Sequence, residues 1–206
     1  MTAREMFGEL RVVPVVVIED PESAVTLAET LVACGLPAIE VTLRTPRAIE
    51  AMAAIAENVP AMLLGAGSLR DTAQIDAVLH AGARFGVSPG STPALTAAAE
   101  SAGLAFIPGA VTASESLALL ERGYTLQKFF PAELAGGARY ISALGAPIPE
   151  VSFMPTGGVT AKNAPDYLSL NNVACVGGTW IAPAKLIASG RFDEIATLAR
   201  AAAELR

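Results

Sequence analysis

The strongest constraint on this chain is a rhythm. Short apolar runs begin at Val12 (VVPVVVI), Ala38 (AIEVTL), Ala61 (AMLLGAG), Arg84 (RFGVS), Leu104 (LAFIPG), Leu126 (LQKFFP), Val151 (VSFMPTGG) and Ala174 (ACVGGTW). Their starts lie 26, 23, 23, 20, 22, 25 and 23 residues apart, which leaves room each time for a strand, a short loop and a helix of about three turns. Each run is nearly continuous in apolar residues, as strands covered on both faces are. The alanine-rich stretches between them carry helix punctuation. Asp20-Pro21-Glu22, Thr45-Pro46 and Thr92-Pro93 place a capping oxygen before a proline, and Gly35, Gly82, Gly103 and Gly123 close helical patterns. Eight βα units without a linker predict an α/β fold, a (β/α)8 TIM barrel forming a single domain over residues 1–206. A length of 206 residues is short for that fold, usually about 250 residues, so the loops must be tight. The alternative is a doubly wound open sheet. The count of eight favours closure, and no GxGxxG follows the first run to mark a dinucleotide site.

Several function classes drop out on composition. With 52% hydrophobic and 17% charged residues, the chain has ample material for a core and is not disordered. A membrane span needs about 18 consecutive apolar residues, whereas the run Val12 to Ile18 is seven long and contains Pro14. The opening MTAREMFGELR is broken by Arg4, Glu5, Glu9 and Arg11 and does not read as a signal peptide; the expected compartment is the cytoplasm. The net charge is −6 and the basic residues are scattered, so no nucleic-acid footprint is expected. Cys34 and Cys175, far apart and outside any CxxC spacing, are expected to be core residues rather than a disulfide or zinc site. A single histidine, His80, at the end of a helical stretch, leaves no means of assembling a multi-histidine metal centre or a Ser-His nucleophile.

In a (β/α)8 barrel the chemistry sits at the C-terminal ends of the strands. The second run, AIEVTLR, places Glu40, Thr42 and Arg44 on one face by the two-residue period of a strand. A carboxylate inside a sheet needs a partner or a task, and a structural Glu40–Arg44 ion pair is one way to supply it. The sixth run holds Lys128 beside Phe129 and Phe130. Lysine is rarely buried, and an amine sheltered from water by aromatic neighbours is a candidate nucleophile toward carbonyls; a lysine snorkelling at a strand end is the plainer alternative. The other two lysines, Lys162 and Lys185, fall in positions expected to be solvated. The seventh and eighth runs end in PTGG (Pro155 to Gly158) and GGTW (Gly177 to Trp180). Paired glycines let backbone N–H groups approach an anion, and the loops after strands seven and eight form the recurrent phosphate site of this fold. Thr156 and Thr179 add hydroxyls, and GAGS (Gly65 to Ser68) is a third glycine-rich strand end.

Taken in order, EVTLRT (Glu40 to Thr45), GAGS, SPG (Ser88 to Gly90), IPG (Ile107 to Gly109), KFFPAE (Lys128 to Glu133), PTGG and CVGGTW resemble the bacterial 2-keto-3-deoxy-6-phosphogluconate (KDPG) and 4-hydroxy-2-oxoglutarate (KHG) aldolase family over almost the whole chain. The resemblance implies a class I lyase of the Entner–Doudoroff pathway that cleaves KDPG to pyruvate and glyceraldehyde 3-phosphate. It implies Lys128 as the Schiff-base lysine and Glu40 as the general acid and base. Arg44 and Ser68 would hold the substrate carboxylate, and Pro89 and Phe130 would wall the keto-acid pocket. Thr156, Gly157, Gly158, Gly177, Gly178 and Thr179 would receive the phosphorylated end. It also implies a homotrimer and no cofactor or metal. Ser68, Thr179 and Gln127 depart from the family's usual Thr, Ser and aromatic residue; none of the three removes a catalytic group. If Lys128 faces inward, Gln127 faces the helices and its amide needs a partner. A KHG aldolase giving pyruvate and glyoxylate, and a non-catalytic phosphosugar-binding barrel, are the other readings.

Overall fold

The computed structural model describes residues 3–205. In chain order its elements are α1 (Ala3–Phe7), β1 (Val12–Val16), α2 (Glu22–Ala33), β2 (Ala38–Thr42), α3 (Ala48–Asn58), β3 (Leu63–Gly67), α4 (Ala73–His80), β4 (Phe85–Val87) and α5 (Pro93–Ser101). There follow β5 (Ala105–Ile107), α6 (Ala113–Leu120), β6 (Leu126–Phe129), α7 (Gly137–Gly145), β7 (Ser152–Pro155), α8 (Ala164–Leu168), β8 (Val176–Gly178), α9 (Ala184–Ala188) and α10 (Phe192–Ala203). Every one of the eight apolar runs contains a strand.

The strands are parallel and close on themselves. Six pair continuously in the order β5-β4-β3-β2-β1-β8, and β6 pairs with β7. Two short seams complete the ring. Between β5 and β6 the backbone N–H of Lys128 donates to Pro108 at 2.9 Å and that of Ala110 donates to Lys128 at 2.9 Å. Between β7 and β8 the bridges are Phe153 to Val173 and Thr156 to Gly177. The order is therefore that of a closed (β/α)8 barrel, as the spacing predicts.

The pleat sorts each strand into two faces. Outward residues such as Val12, Val16, Ile39, Val41, Leu64, Phe129 and Phe153 join the apolar layer beneath the helices. Inward residues such as Val13, Ala38, Leu63, Phe85, Val87, Ile107, Leu126, Met154 and Cys175 form a separate apolar cluster inside the barrel. Phe7 belongs to that inner cluster, so α1 carries an aromatic plug to the N-terminal mouth, where its ring meets Phe85 edge-on with centroids 4.9 Å apart. A Cβ on Gly65 would lie 2.1 Å from the Phe85 ring; glycine on one strand makes room for the large side chain of another. Arg11 straps the same end, donating to the carbonyls of Ala174 at 3.0 Å and Leu168 at 2.6 Å.

Helix termini follow the sequence in part. Thr92 caps α5 by accepting from the Leu95 N–H at 3.2 Å, with Pro93 opening the helix, and Gly35, Gly82, Gly103 and Gly123 all take positive φ, the conformation expected where a helix is closed. Thr45 does not cap. Its hydroxyl donates to Ile18 at 2.6 Å and α3 begins at Ala48, because the β2 loop is used to fasten the strand ends. A capping box on α6, Thr112 with Glu115, and the plug helix α1 were not among the sequence expectations. Among the described residues no helix is long and apolar enough to cross a membrane.

Candidate active site

The barrel interior changes character toward the C-terminal ends of the strands. Glu40, central on β2, has no exposed surface, and Lys128 on β6 is 4% exposed. Lys128 Nζ stands 3.1 Å from Glu40 Oε1, although 88 residues separate the two in sequence. The other carboxylate oxygen, Oε2, is buried with no hydrogen-bond partner. Room for this carboxylate comes from β3, since a Cβ on Gly67 would lie 2.2 Å from Glu40 Oε1. The Phe130 ring completes the surroundings of the amine, with its centroid 5.4 Å from Nζ, a distance at which a cation is attracted to the ring face.

The neighbouring polar groups are fixed by the same strand ends. Arg44, exposed just beyond β2, donates from Nε to Ser68 Oγ at 3.1 Å, so it does not pair with Glu40 and the structural Glu40–Arg44 ion pair does not form. Ser68 takes φ +61°. A non-glycine residue in the left-handed region is uncommon and concentrates at functional sites. Thr42 is buried and donates to Val16 at 2.9 Å. Pro89 follows the fully buried Ser88, whose Oγ accepts the Gly109 N–H at 3.2 Å. A Cβ on Gly109 would lie 2.4 Å from the backbone of Pro89, so glycine in the IPG motif lets the SPG and IPG loops touch.

At the other side of the mouth, Thr156 is 5% exposed and its Oγ1 has no partner. It faces Gly177 closely enough that a Cβ there would sit 2.4 Å from Oγ1. Gly157 and Gly158 follow with φ +94° and +82°, and two successive glycines in this region form the kind of backbone turn that presents N–H groups to an anion. Gly178 is buried under the Trp180 ring, and Thr179 is exposed.

The remaining candidates separate from this cluster. Lys162 and Lys185 are exposed. His80 ends α4, its Nδ1 2.7 Å from the Asp76 carbonyl oxygen. Cys34 and Cys175 are buried and take part in no disulfide. Gln127 faces the helices, as the inward position of Lys128 requires, and its amide donates to Ser116 at 3.0 Å and Tyr124 at 2.9 Å. Sequence reasoning passed over Gly67, Ser88 and Glu133, although all three stand inside the motifs GAGS, SPG and KFFPAE. The missing signal was spatial, since each acts against a residue on another strand or loop.

A buried amine in contact with a buried carboxylate, at the C-terminal end of a parallel barrel, suits one class of protein, the class I lyases, which work through an imine on lysine. Comparison with known proteins narrows the class. The family described as Aldolase: KDPG and KHG aldolase matches residues 4–198, and the chain belongs to that family. It is 44% identical to the 2-dehydro-3-deoxy-phosphogluconate aldolase of Pseudoalteromonas atlantica over 202 residues, covering 98% of this chain and 94% of that protein. Identity to the KHG/KDPG aldolase of Escherichia coli is also 44%, over 94% of this chain and 91% of the relative. Among solved structures, the KDPG aldolase of Legionella pneumophila, with pyruvate captured at low pH as a covalent carbinolamine intermediate, aligns with a TM-score of 0.95 at 42% identity, covering 98% of each chain.

Proposed function

We propose that this chain is a class I aldolase cleaving KDPG to pyruvate and glyceraldehyde 3-phosphate, with Lys128 as the imine-forming residue and Glu40 as the proton carrier. The observation that carries the reading is the buried contact of 3.1 Å between Lys128 Nζ and Glu40 Oε1. An ammonium cannot attack a carbonyl, and Glu40 is placed to take its proton. The freed amine adds to the C2 keto carbon, and Glu40 gives its proton to the hydroxyl of the carbinolamine, which departs as water and leaves a protonated imine and an ionised Glu40. Glu40 then removes the proton of the C4 hydroxyl. The C3–C4 bond breaks, its electron pair moves into the imine to give an enamine, and the aldehyde departs. Return of the proton to C3 and hydrolysis of the imine release pyruvate and restore Lys128. One carboxylate serves every step, because each proton it takes is one it later gives back.

In this reading Arg44, braced by Ser68, receives the substrate carboxylate, with Pro89 and Phe130 as walls of the keto-acid pocket. Thr156, Gly157, Gly158, Gly177, Gly178 and Thr179 receive the phosphorylated end. A neutral hydroxyl and backbone N–H groups suit a phosphate without the desolvation of a buried cation. The substrate is a small phosphorylated keto acid, the compartment is the cytoplasm, the 206 residues act as one domain, and the assembly is a homotrimer. Leu134, 90% exposed on the loop after β6, is an apolar side chain that contact with another subunit would cover.

KHG cleavage is a second activity of the same site in this reading. It shares the pyruvate half, and the E. coli relative carries both names. The test is turnover of both substrates, following pyruvate with a coupled dehydrogenase. A higher kcat/KM for KDPG, lowered competitively by inorganic phosphate, supports the assignment. Preference for the glyoxylate-derived substrate, or no pyruvate from either, overturns it.

A further inference from the structure

The loop after β6 is tied to the loop after β7. The backbone N–H of Ala132 donates to Thr156 at 2.8 Å and that of Glu133 donates to Gly157 at 3.1 Å. The Glu133 side chain then doubles back over the same loop, so close that a Cβ on Gly158 would sit 2.6 Å from its Cγ. At its far end, Glu133 Oε1 accepts the hydroxyl of Tyr167, a residue of α8, the helix that follows the β7 loop. Tyr167 is 1% exposed. Burial first, and the bond to Glu133 second, push its phenol ionisation well above the usual range, which keeps the hydroxyl a donor. Glu133 is therefore held at both ends, by backbone and by Tyr167, with its stem lying on Gly158.

A carboxylate beside a segment that faces an anion opposes binding by charge alone. Its presence there calls for a geometric role. Two successive glycines with positive φ have wide conformational freedom when unsupported, and an anion cradle must be pre-formed to bind well. We propose that Glu133, anchored by Tyr167, is a positioning residue that holds Gly157 and Gly158 in the conformation receiving the phosphorylated end of the substrate. The proposal rests on the assignment of those glycines to that end.

Steady-state cleavage of KDPG and KHG by three variants tests it, with thermal unfolding as the check on folding. Glu133→Ala is expected to raise KM for KDPG about tenfold while kcat and the KM for KHG stay near the parent values, the signature of lost positioning at one end of the substrate. Glu133→Gln keeps the stem and an accepting oxygen and should give a KM for KDPG at or below the parent value, because the stem does the positioning and the charge only opposes the anion. Tyr167→Phe frees the carboxylate and should raise the KDPG KM about threefold; it carries the test should Glu133→Ala fail to fold. Equal rises for both substrates, a fall in kcat alone, or no change would overturn the proposal. Gly157→Ala separates the two levels of inference. If it leaves the preference for KDPG intact, the assignment of the phosphate end is wrong; if it abolishes that preference while Glu133→Ala does nothing, only the role of Glu133 is wrong.

Discussion

The two halves of the barrel interior obey different rules. At the N-terminal end Phe7, Val13, Leu63, Phe85 and Leu126 pack an apolar plug, and every inward side chain there is explained by volume. At the C-terminal end the inward groups are Glu40, Lys128 and Thr156, of which Glu40 Oε2 and Thr156 Oγ1 are buried without a partner. Leaving a buried polar atom unpaired costs about 1–3 kcal/mol, so the lower half stabilises what the upper half strains. Within the barrel interior these two unpaired atoms mark where substrate or the transition state can supply a partner; the other two buried unpaired side-chain atoms among the described residues, Ser116 Oγ and Gln127 Oε1, lie on the helix side of β6, away from that interior.

Four variants put this contrast to the test. Lys128→Ala should have the largest effect, removing the only amine in the barrel interior among the described residues and taking KDPG turnover to the uncatalysed background; measurable turnover with a normal KM would mean that the upper half works by another route. Glu40→Gln keeps the shape and removes the proposed proton carrier, so kcat should fall by about 10²–10⁴-fold, while the imine with pyruvate still forms on long incubation, at a reduced rate. In the lower half, Phe85→Ala should lower stability by about 3–5 kcal/mol in denaturant unfolding, with activity per folded molecule retained at low temperature. Loss of activity without loss of stability would show the two halves to be coupled. Last, the double substitution Glu40→Leu with Lys128→Met replaces a buried ion pair by apolar volume and should be neutral or more stable by up to about 4 kcal/mol, and inactive. A strong destabilisation would show that the pair supports the fold as well as the chemistry.

The same contrast explains what the amino-acid sequence discloses. The lower half and the helix layer are read from period and punctuation, because strand alternation and helix caps are local. The spacing of the apolar runs placed all eight strands, and the inward position of Lys128 correctly put Gln127 against the helices. The upper half was legible in residue type more than in arrangement. Glu40 and Arg44 share a strand face and opposite charge, which suggested a pair; the structure gives Glu40 to Lys128 and Arg44 to Ser68. Barrel closure decides that choice, and closure is a non-local property. Its β5–β6 seam includes the backbone of Lys128 and its β7–β8 seam that of Thr156, so the catalytic end is where chain-distant strands meet. Thr45 was misread for a similar reason, a tertiary bond to Ile18 overriding a local cap. Plug helix α1 is five residues long, too short to show a helical period. Family resemblance supplied roles to residues whose contacts lie across the ring, and left Glu133, Ser88 and Gly67 without one.

In the proposed mechanism the single buried lysine of this barrel, Lys128, is the group that bonds covalently to the keto acid. Incubating the protein with pyruvate and borohydride, then mapping the modified peptide by mass spectrometry, tests it most directly. One reduced adduct per chain, on Lys128, is the predicted result, with none in the Lys128→Ala variant. An adduct on Lys162 or Lys185, or full labelling of the variant, would contradict it.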